Sequence, residues 1–173
     1  MRIGIGYDSH RFDGSGPLRL GGVALPSARG LSRHSDADVL LHALTDALLG
    51  AIGAPDIGEQ FPPGDTRLRG IDSRVFVERA LSQVRAAGFA VGNVDAVVVA
   101  DSPKLAPHKA ALKRSIGTLL GIDPSRVSVK GKTSEGFDPK DAGMTAQVVV
   151  LLVARKRERA AAKRKPSPLR RKQ

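Results

Sequence analysis

Strand-like and helix-like segments alternate along the first 154 residues, and the long stretches between the strands limit the folds open to the chain. Five segments are typical of strands, at residues 2–12, 17–26, 89–101, 127–133 and 145–154. The spacing of apolar residues predicts helices over 37–53, over 73–88 and from 107 to about 120. Long connections between strands indicate helices that lie on one sheet, which predicts an α/β fold or, more narrowly, an α+β layer.

The ends of these elements carry turn and cap residues. Gly21-Gly22 indicates a turn or a bulge inside the second strand segment. Ser35 or Asp36 is predicted to cap the first helix, which ends in a glycine. Asp72 is predicted to cap the second helix, which stops at Gly88.

Composition narrows the chemistry open to the chain. The 173 residues contain no cysteine, so disulfides and thiolate metal sites are excluded, and any metal must be bound by His, Asp or Glu. The length and a hydrophobic content of 41% fit one ordinary globular domain. The longest late apolar run, 148–154, is too short to span a bilayer, and no signal peptide is visible. A cytoplasmic protein without a membrane contact is therefore expected.

The net charge of +11 belongs almost entirely to the C-terminal segment. Residues 155–173 contain ten Lys or Arg and one Glu, so they carry nine of the eleven net positive charges. Their apolar content is too low for folding, and we expect a domain at 1–154 followed by a basic, disordered tail at 155–173. Binding of RNA, a membrane or a partner protein is the alternative role of this tail.

A pair of metal-capable side chains stands in the first strand segment, and a third stands in the first helix. Asp8 and His10 are two residues apart, so both point to one face of an extended strand. Asp38, His42 and Asp46 are spaced by four and form one polar stripe on an apolar helix. A lone His42 would be interpreted as a buried neutral histidine bonded to a carboxylate.

The two features together instead predict a zinc site. Asp8, His10 and His42 would supply three ligands and leave one tetrahedral position open, while Asp46 or Asp38 orients the His42 ring. Zn²⁺ with one carboxylate and two neutral imidazoles keeps a formal charge of about +1. The open position should therefore attract an anionic oxygen, from a phosphate or a hydroxide.

Five segments in this order and spacing resemble the 2-C-methyl-D-erythritol 2,4-cyclodiphosphate synthases of the non-mevalonate isoprenoid pathway. They are RIGIGYDSHRF, LGGVALP, GLSRHSDADVLLHALTDALLGAIGAPDIGEQFPPGD, GNVDAVVVADSPKLAPH and VKGKTSE. The resemblance runs from Met1 to about Ala154 and implies a mixed sheet with helices packed on one face. It also implies a homotrimer with an active site between each pair of neighbouring subunits.

The activity that the resemblance implies is that of a phosphorus-oxygen lyase. The substrate would be 4-diphosphocytidyl-2-C-methyl-D-erythritol 2-phosphate, and the products would be the 2,4-cyclodiphosphate and CMP. By position, Asp8, His10 and His42 match the zinc ligands of the family. Glu135 matches the residue that helps to hold a second ion, Mg²⁺ or Mn²⁺, on the substrate diphosphate.

The remaining site residues follow from the same matching. His34 and Thr133 match the catalytic positions that stabilise the transition state, and Ser35 accompanies His34 before the helix. The part of the site around the methylerythritol group matches Asp56, Ile57, Gly58, Phe61, Pro62, Pro63, Gly64 and Asp65. The cytidine pocket matches Ala100, Asp101, Ser102, Pro103, Lys104, Leu105 and Ala106. The phosphate and metal segment matches Lys132, Thr133, Ser134 and Glu135, and Asp8 and His10 also contact substrate.

The sequence departs from the family pattern in two places. Pro63 stands where the family usually has an aspartate. After Glu135 the chain reads GFDPKDAGMTA, which is about two residues shorter than the family pattern and lacks its arginine. Lys140 could replace that arginine, although with a point charge instead of a bidentate fork.

Two other classes of function stay open from the residues alone. A metal-dependent phosphoesterase would use the same three ligands with hydroxide as the nucleophile and would release inorganic phosphate. A nucleic-acid-binding or scaffold protein would depend on the basic tail, so removal of 155–173 would abolish its function. The few spare positive charges of the body, with one tyrosine, argue against the second class.

Overall fold

The structure is a computed structural model that describes residues 1–14, 17–31, 36–62, 64–68, 70–136, 138 and 141–155. The strands are β1 (Arg2–Gly14), β2 (Leu18–Leu20), β3 (Val23–Leu25), β4 (Gly30–Leu31), β5 (Phe89–Val99), β6 (Val127–Lys132) and β7 (Gly143–Ala154). The α-helices are α1 (Val39–Ile52), α2 (Ile57–Gln60), α3 (Arg74–Ala86) and α4 (Lys109–Leu120). Short 3-10 helices lie at Thr66–Leu68, Ala106–His108 and Pro124–Arg126.

Five of the strands form one mixed sheet in the order β4-β1-β7-β5-β6. Only β5 and β6 pair in parallel; the other neighbours are antiparallel. Strands β2 and β3 form a separate hairpin, and Gly21 and Gly22 make its turn with φ of +57° and +75°. The mixed sheet and the glycine turn predicted from the sequence are both confirmed.

The helices cover one face of this sheet. Helix α1 packs on β1 and β7, α3 packs on α1 and β5, and α4 packs on β6. Burial along β1 alternates accordingly, with Gly4 and Gly6 buried against the helices and Ile3, Ile5 and Tyr7 exposed on the other face. The predicted arrangement, helices packed on one face of a mixed sheet, is confirmed.

Two glycines of β1 allow the backbone of α1 to lie directly against the strand. A Cβ added at Gly6 would lie 1.9 Å from the carbonyl oxygen of Ala43, and one added at Gly4 would lie 1.9 Å from that of Ala47. Real Cβ atoms do not approach backbone oxygens so closely, so no larger residue fits without moving the helix. The glycines therefore fix how near α1 comes to the residues that follow Gly6 in β1.

The cap of α1 differs from the prediction. Asp38 is the N-cap, and its carboxylate accepts hydrogen bonds from the amides of Leu41 (3.0 Å), Gly21 (2.8 Å) and Gly22 (2.7 Å). The prediction of Asp36 as the cap is wrong, because the amides of the β2–β3 turn select the fully buried Asp38. Ser35 lies outside the described residues. The helix ends as predicted, with Gly53 in the left-handed conformation.

Replacing Asp38 by asparagine is expected to lower the free energy of unfolding by about 3 kcal/mol. Burial raises the pKa of the Asp38 carboxyl, and the hydrogen bonds from the three backbone amides oppose that rise. In the asparagine variant an NH₂ group would replace one of the carboxylate oxygens and would face an N–H donor. Urea unfolding of the full chain measures the loss. Asp123→Asn is the control, since Asp123 also accepts an amide bond, from Ser125, but at an exposed position. A loss below about 1 kcal/mol in Asp38→Asn would contradict the role given to this carboxylate.

Candidate functional site

Asp8, His10 and His42 converge where α1 crosses the second half of β1. Asp8 Oδ2 lies 3.2 Å from His10 Nδ1 and 3.0 Å from His42 Nδ1. One ligand atom from each residue lies within 4.8 Å of the others, and all three side chains are half-buried. Zinc bonds of about 2.0–2.2 Å at tetrahedral angles put ligand atoms about 3.3–3.6 Å apart. The predicted cluster is therefore present, with a donor set and spacing that fit a divalent metal.

The positions of these ligands follow from the geometry of β1 and α1. Even-numbered residues of β1 face the helices, so Asp8 and His10 share the buried side of the strand with Gly4 and Gly6. His42 lies one residue before Ala43, whose carbonyl occupies the space above Gly6. The close contact between α1 and β1 therefore brings the imidazole of His42 to the Asp8 carboxylate.

The other nitrogen of the His42 ring has a partner that the sequence did not indicate. His42 Nε2 lies 2.9 Å from the hydroxyl oxygen of Ser73, and the Ser73 hydroxyl donates to Asp36 Oδ1. Ser73 thus bonds the ring directly, whereas Asp38 bonds backbone amides and Asp46 interacts with His42 through its charge. Ser73 lies 31 residues from His42 at the start of α3, so no local spacing could have identified it.

Asp46 instead connects the metal cluster to the segment that follows α1. Its Oδ1 accepts a hydrogen bond of 2.8 Å from the amide of Ile57, at the start of α2. Burial raises the pKa of the Asp46 carboxyl, and the amide bond opposes this rise. The carboxylate therefore fixes the position of residues 56–58, which were predicted to contact the methylerythritol group.

The rest of that predicted segment reaches His42 through aromatic contacts. Phe61 and Phe76 have ring centroids 4.6 Å apart, and Phe76 lies 5.7 Å from the His42 ring. Asp56 caps α2, where its Oδ1 accepts from the Glu59 amide at 2.8 Å. Asp65 is half-buried, and a side-chain hydrogen bond from Arg67 lowers its pKa. The contact of Phe61 with Phe76, and of Phe76 with His42, places residues 56–62 beside the metal cluster.

The predicted cytidine and phosphate segments lie side by side because β5 and β6 are parallel neighbours. Val99 pairs with Lys132, so the two strands end together and the segments 100–106 and 132–135 follow from one edge. They enclose a small cavity of about 140 Å³. Its lining consists of Ala100, Lys104, Leu105, Ala106, Lys109, Gly131, Lys132 and Thr133. The three lysines make this cavity suited to an anion, and Lys109 was not identified from the sequence.

A network of hydrogen bonds fixes the two segments to each other. Asp101 accepts from the amide and the hydroxyl of Ser134, at 2.8 and 2.6 Å, and these bonds lower the pKa of Asp101. Thr133 Oγ1 donates to Glu135 Oε1 at 2.5 Å. The cavity is thus part of an ordered site, although none of Asp8, His10 and His42 belongs to its described lining.

The shortened segment after Glu135 contacts a cation from another part of the fold. Arg29 forms an ion pair with Asp141, donates from Nη1 to the Asp141 carbonyl at 2.8 Å, and lies 4.5 Å from the centre of the Phe12 ring. The positive charge of Arg29 is therefore paired with the Asp141 carboxylate. Lys140, proposed from the sequence as a replacement for the arginine of the family, lies outside the described residues.

Several predicted residues cannot be placed. His34, Ser35 and Pro63 lie outside the residues that the structure describes, as does the tail from 156 onward. Strand β7 ends at Ala154, and the division into a domain at 1–154 and a tail at 155–173 stays a prediction. Among the described helices, none has the length and apolar character needed to cross a membrane.

Comparison with known proteins gives one consistent result. The sequence profile of the YgbB family matches residues 1–153. The chain is 50% identical over 155 residues to the 2-C-methyl-D-erythritol 2,4-cyclodiphosphate synthase of Koribacter versatilis (strain Ellin345), covering 90% of this chain and 99% of that protein. It is also 54% identical over 137 residues to the same synthase of Gemmatimonas aurantiaca, covering 79% and 82%.

Solved structures agree with these relatives. A 2C-methyl-D-erythritol-2,4-cyclodiphosphate synthase in a CDP-bound form superposes with a TM-score of 0.82 at 45% identity, covering 88% of this chain and all of that one. The CDP complex of IspF from Plasmodium falciparum gives a TM-score of 0.78 at 34% identity, covering 90% and 97%. The similarity therefore extends over nearly the whole of the described fold.

Proposed function

The chain belongs to the YgbB family, the 2-C-methyl-D-erythritol 2,4-cyclodiphosphate synthases, and we propose that it catalyses the reaction for which these enzymes are named. It converts 4-diphosphocytidyl-2-C-methyl-D-erythritol 2-phosphate to the 2,4-cyclodiphosphate and CMP. An oxygen of the 2-phosphate forms a bond to the β-phosphorus, and the bond from that phosphorus to the oxygen of the departing CMP breaks. No water is consumed. The observation that carries this proposal is the cluster of Asp8, His10 and His42 within a family match over 1–153.

The donor atoms of the site fit divalent metals. One carboxylate oxygen and two imidazole nitrogens form the usual donor set of a catalytic zinc site, so Asp8, His10 and His42 would hold Zn²⁺. The exposed carboxylate of Glu135 suits a harder ion, Mg²⁺ or Mn²⁺, shared with the substrate diphosphate. When bound, such ions neutralise the charge of phosphate oxygens that would otherwise repel each other.

The residues of the chain bind and orient a substrate whose nucleophile and electrophile are already in one molecule. Lys104 and Lys132 line the cavity that receives the cytidine diphosphate part and oppose its negative charge. The hydroxyl of Thr133, which donates to Glu135 in the structure, would turn to donate, with His34, hydrogen bonds to charge that develops on the phosphate. Asp46 holds the segment at Ile57 against the methylerythritol group, and the rings of Phe61 and Phe76 exclude water from the adjoining side.

A direct assay separates this function from hydrolysis. The full chain is incubated with the cytidylyl substrate, Zn²⁺ and Mg²⁺, and the products are identified by mass and phosphorus NMR. Equal amounts of CMP and the cyclic diphosphate are expected. Inorganic phosphate without the cyclic product would instead indicate hydroxide as the nucleophile and a phosphoesterase. Absence of turnover in protein that carries both metals would contradict the proposal.

The active assembly is a homotrimer in which neighbours share each site. The sheet face opposite the helices exposes Ile3 (71%), Ile5 (60%), Tyr7 (60%) and Val149 (39%), which is unusual for a monomer. Two further copies of this chain would cover that face around a threefold axis. The lysine-lined cavity and the metal cluster also draw on separate sets of residues, which a site divided between subunits would allow.

Mixing two inactive variants tests the shared site. We expect His42→Ala and Lys104→Glu each to be inactive alone, and activity to return when they are mixed under conditions that exchange subunits. Some mixed trimers then contain one interface with an intact metal cluster and an intact Lys104. The measurement is CMP release, with exchange monitored by native mass spectrometry. If subunits exchange and no activity returns, both halves of the site belong to one subunit.

A further inference from the structure

His42 is the end of a short chain of hydrogen bonds that leads away from the metal cluster. Its Nε2 lies 2.9 Å from Ser73 Oγ, and the Ser73 hydroxyl in turn donates to Asp36 Oδ1. Ser73 is fully buried, and Asp36 is itself anchored by its amide, which donates to the Ile71 carbonyl at 3.1 Å. The three side chains come from α1, from the start of α3 and from the segment before α1.

The direction of the hydrogen bonds fixes where the ring proton lies. An ionised carboxylate only accepts hydrogen bonds, and a serine hydroxyl has one hydrogen to donate. Because that hydrogen goes to Asp36, Ser73 can only accept from His42, so Nε2 carries the proton. In a neutral imidazole Nδ1 then has the lone pair. Nδ1 is the nitrogen that faces Asp8 Oδ2, at 3.0 Å.

Asp8 favours the opposite arrangement in the absence of a metal. Its carboxylate would accept a hydrogen bond from a protonated Nδ1, and that tautomer has no lone pair to offer to an ion in the cluster. We propose that Ser73 and Asp36 are positioning residues that hold His42 as the Nε2–H tautomer, ready to bind a divalent cation through Nδ1. The inference rests on the metal site of the proposed function and names the residues that prepare it.

The start of α3 supports this assignment independently. Ser73 occupies the N-cap position of the helix, where a serine hydroxyl ordinarily accepts a bond from a backbone amide. Here the Ser73 side chain makes no cap hydrogen bond, and Asp72 Oδ1 accepts from the Arg74 amide at 2.9 Å instead. The Ser73 hydroxyl therefore does not cap the helix and instead forms hydrogen bonds with His42 and Asp36. Outer partners of this kind commonly change metal affinity about ten- to a hundredfold.

Zinc affinity of the full chain, measured by competition with a chelator, tests the proposal. Ser73→Ala is expected to bind zinc about ten- to a hundredfold more weakly. Asp36→Asn and Asp36→Ala form a matched pair, since both remove the charge but only the asparagine oxygen can still accept from Ser73. Asp36→Ala should therefore bind clearly more weakly than Asp36→Asn. Ser82→Ala, an exposed serine on the same helix, should bind like the parent.

Nitrogen-15 NMR of the metal-free protein identifies the tautomer of the His42 ring without a measurement of activity. At about pH 9, at which histidine is ordinarily neutral, the parent should show a protonated Nε2 in His42, and Ser73→Ala should shift toward a protonated Nδ1. A protonated Nδ1 in the parent would overturn the proposal, as would unchanged zinc affinity in folded Ser73→Ala. If Ser73→Ala does not fold, equal affinities in the two Asp36 variants would overturn it.

The two measurements also separate this inference from the proposed function. A parent protein that binds no zinc, yet loses the Nε2–H tautomer in Ser73→Ala, would refute the zinc site and retain the role of Ser73 in orienting the ring. A parent that binds zinc with the same affinity as all the variants would retain the metal site and refute the role of Ser73 and Asp36.

Discussion

Replacing His42 by alanine is expected to lower kcat/KM by about a thousandfold or more, a loss of about 4 kcal/mol in transition-state stabilisation. The variant keeps Asp8 and His10 but has only two of the three ligand atoms that converge in the cluster. Two ligands cannot complete a three-ligand zinc site, so bound zinc should fall with activity. CMP release at substrate concentrations well below KM, with saturating metal, measures kcat/KM, and zinc content after dialysis measures the loss of metal.

His108→Ala is the matched control for this experiment. His108 ends the 3-10 helix Ala106–His108 and is not part of the metal-capable cluster, so its removal should leave zinc content unchanged. If His42→Ala is folded and retains activity within about tenfold of the parent, the cluster is not the centre of the reaction. Retained zinc in the variant would show that the ion is bound elsewhere in the chain.

Replacing Gly6 by alanine is expected to lower the free energy of unfolding by about 3 kcal/mol or more. The new Cβ would lie 1.9 Å from the Ala43 carbonyl oxygen, and a backbone oxygen cannot rotate away as the end of a side chain can. Helix α1 must therefore move off β1. Because His42 is carried on α1, the displacement should also weaken zinc binding. Thermal and urea unfolding measure the first effect, and chelator competition measures the second.

Gly50→Ala provides the control, because it adds the same methyl group on α1 near β1, but at an exposed position. At Gly50 the nearest atom to an added Cβ is the Ile5 carbonyl oxygen at 3.7 Å, an ordinary contact. Alanine is favoured over glycine inside a helix, so this variant should gain about 0.5–1 kcal/mol. Equal stabilities for Gly6→Ala and Gly50→Ala would show that the approach of α1 to β1 does not depend on the glycine.

Much of the fold and of the metal cluster followed from periodicity. Alternation along 2–12 placed Asp8 and His10 on one face, helical spacing identified α1 and the position of His42, and the quoted segments identified the family. These patterns are local, because a side chain's direction in a strand or helix is set by its own backbone geometry. A strand pair and a helix residue of matching chemistry were therefore sufficient to predict Asp8, His10 and His42 as a set.

The contacts that complete the site depended on the tertiary structure. Asp38, not Asp36, became the cap of α1 because the amides of Gly21 and Gly22 face it across the fold. Arg29 reaches Asp141 over 112 residues, and Lys109 joins the lysine-lined cavity because α4 packs beside β6.

The orientation of His42 depends in the same way on where separate elements meet. Ser73 could be recognised as its partner only once α3 was placed against α1. Residue types and their spacing determined which groups could bind a metal and a phosphate. Which polar atom meets which was decided by packing, because burial requires a hydrogen-bond partner but leaves its position in the sequence open.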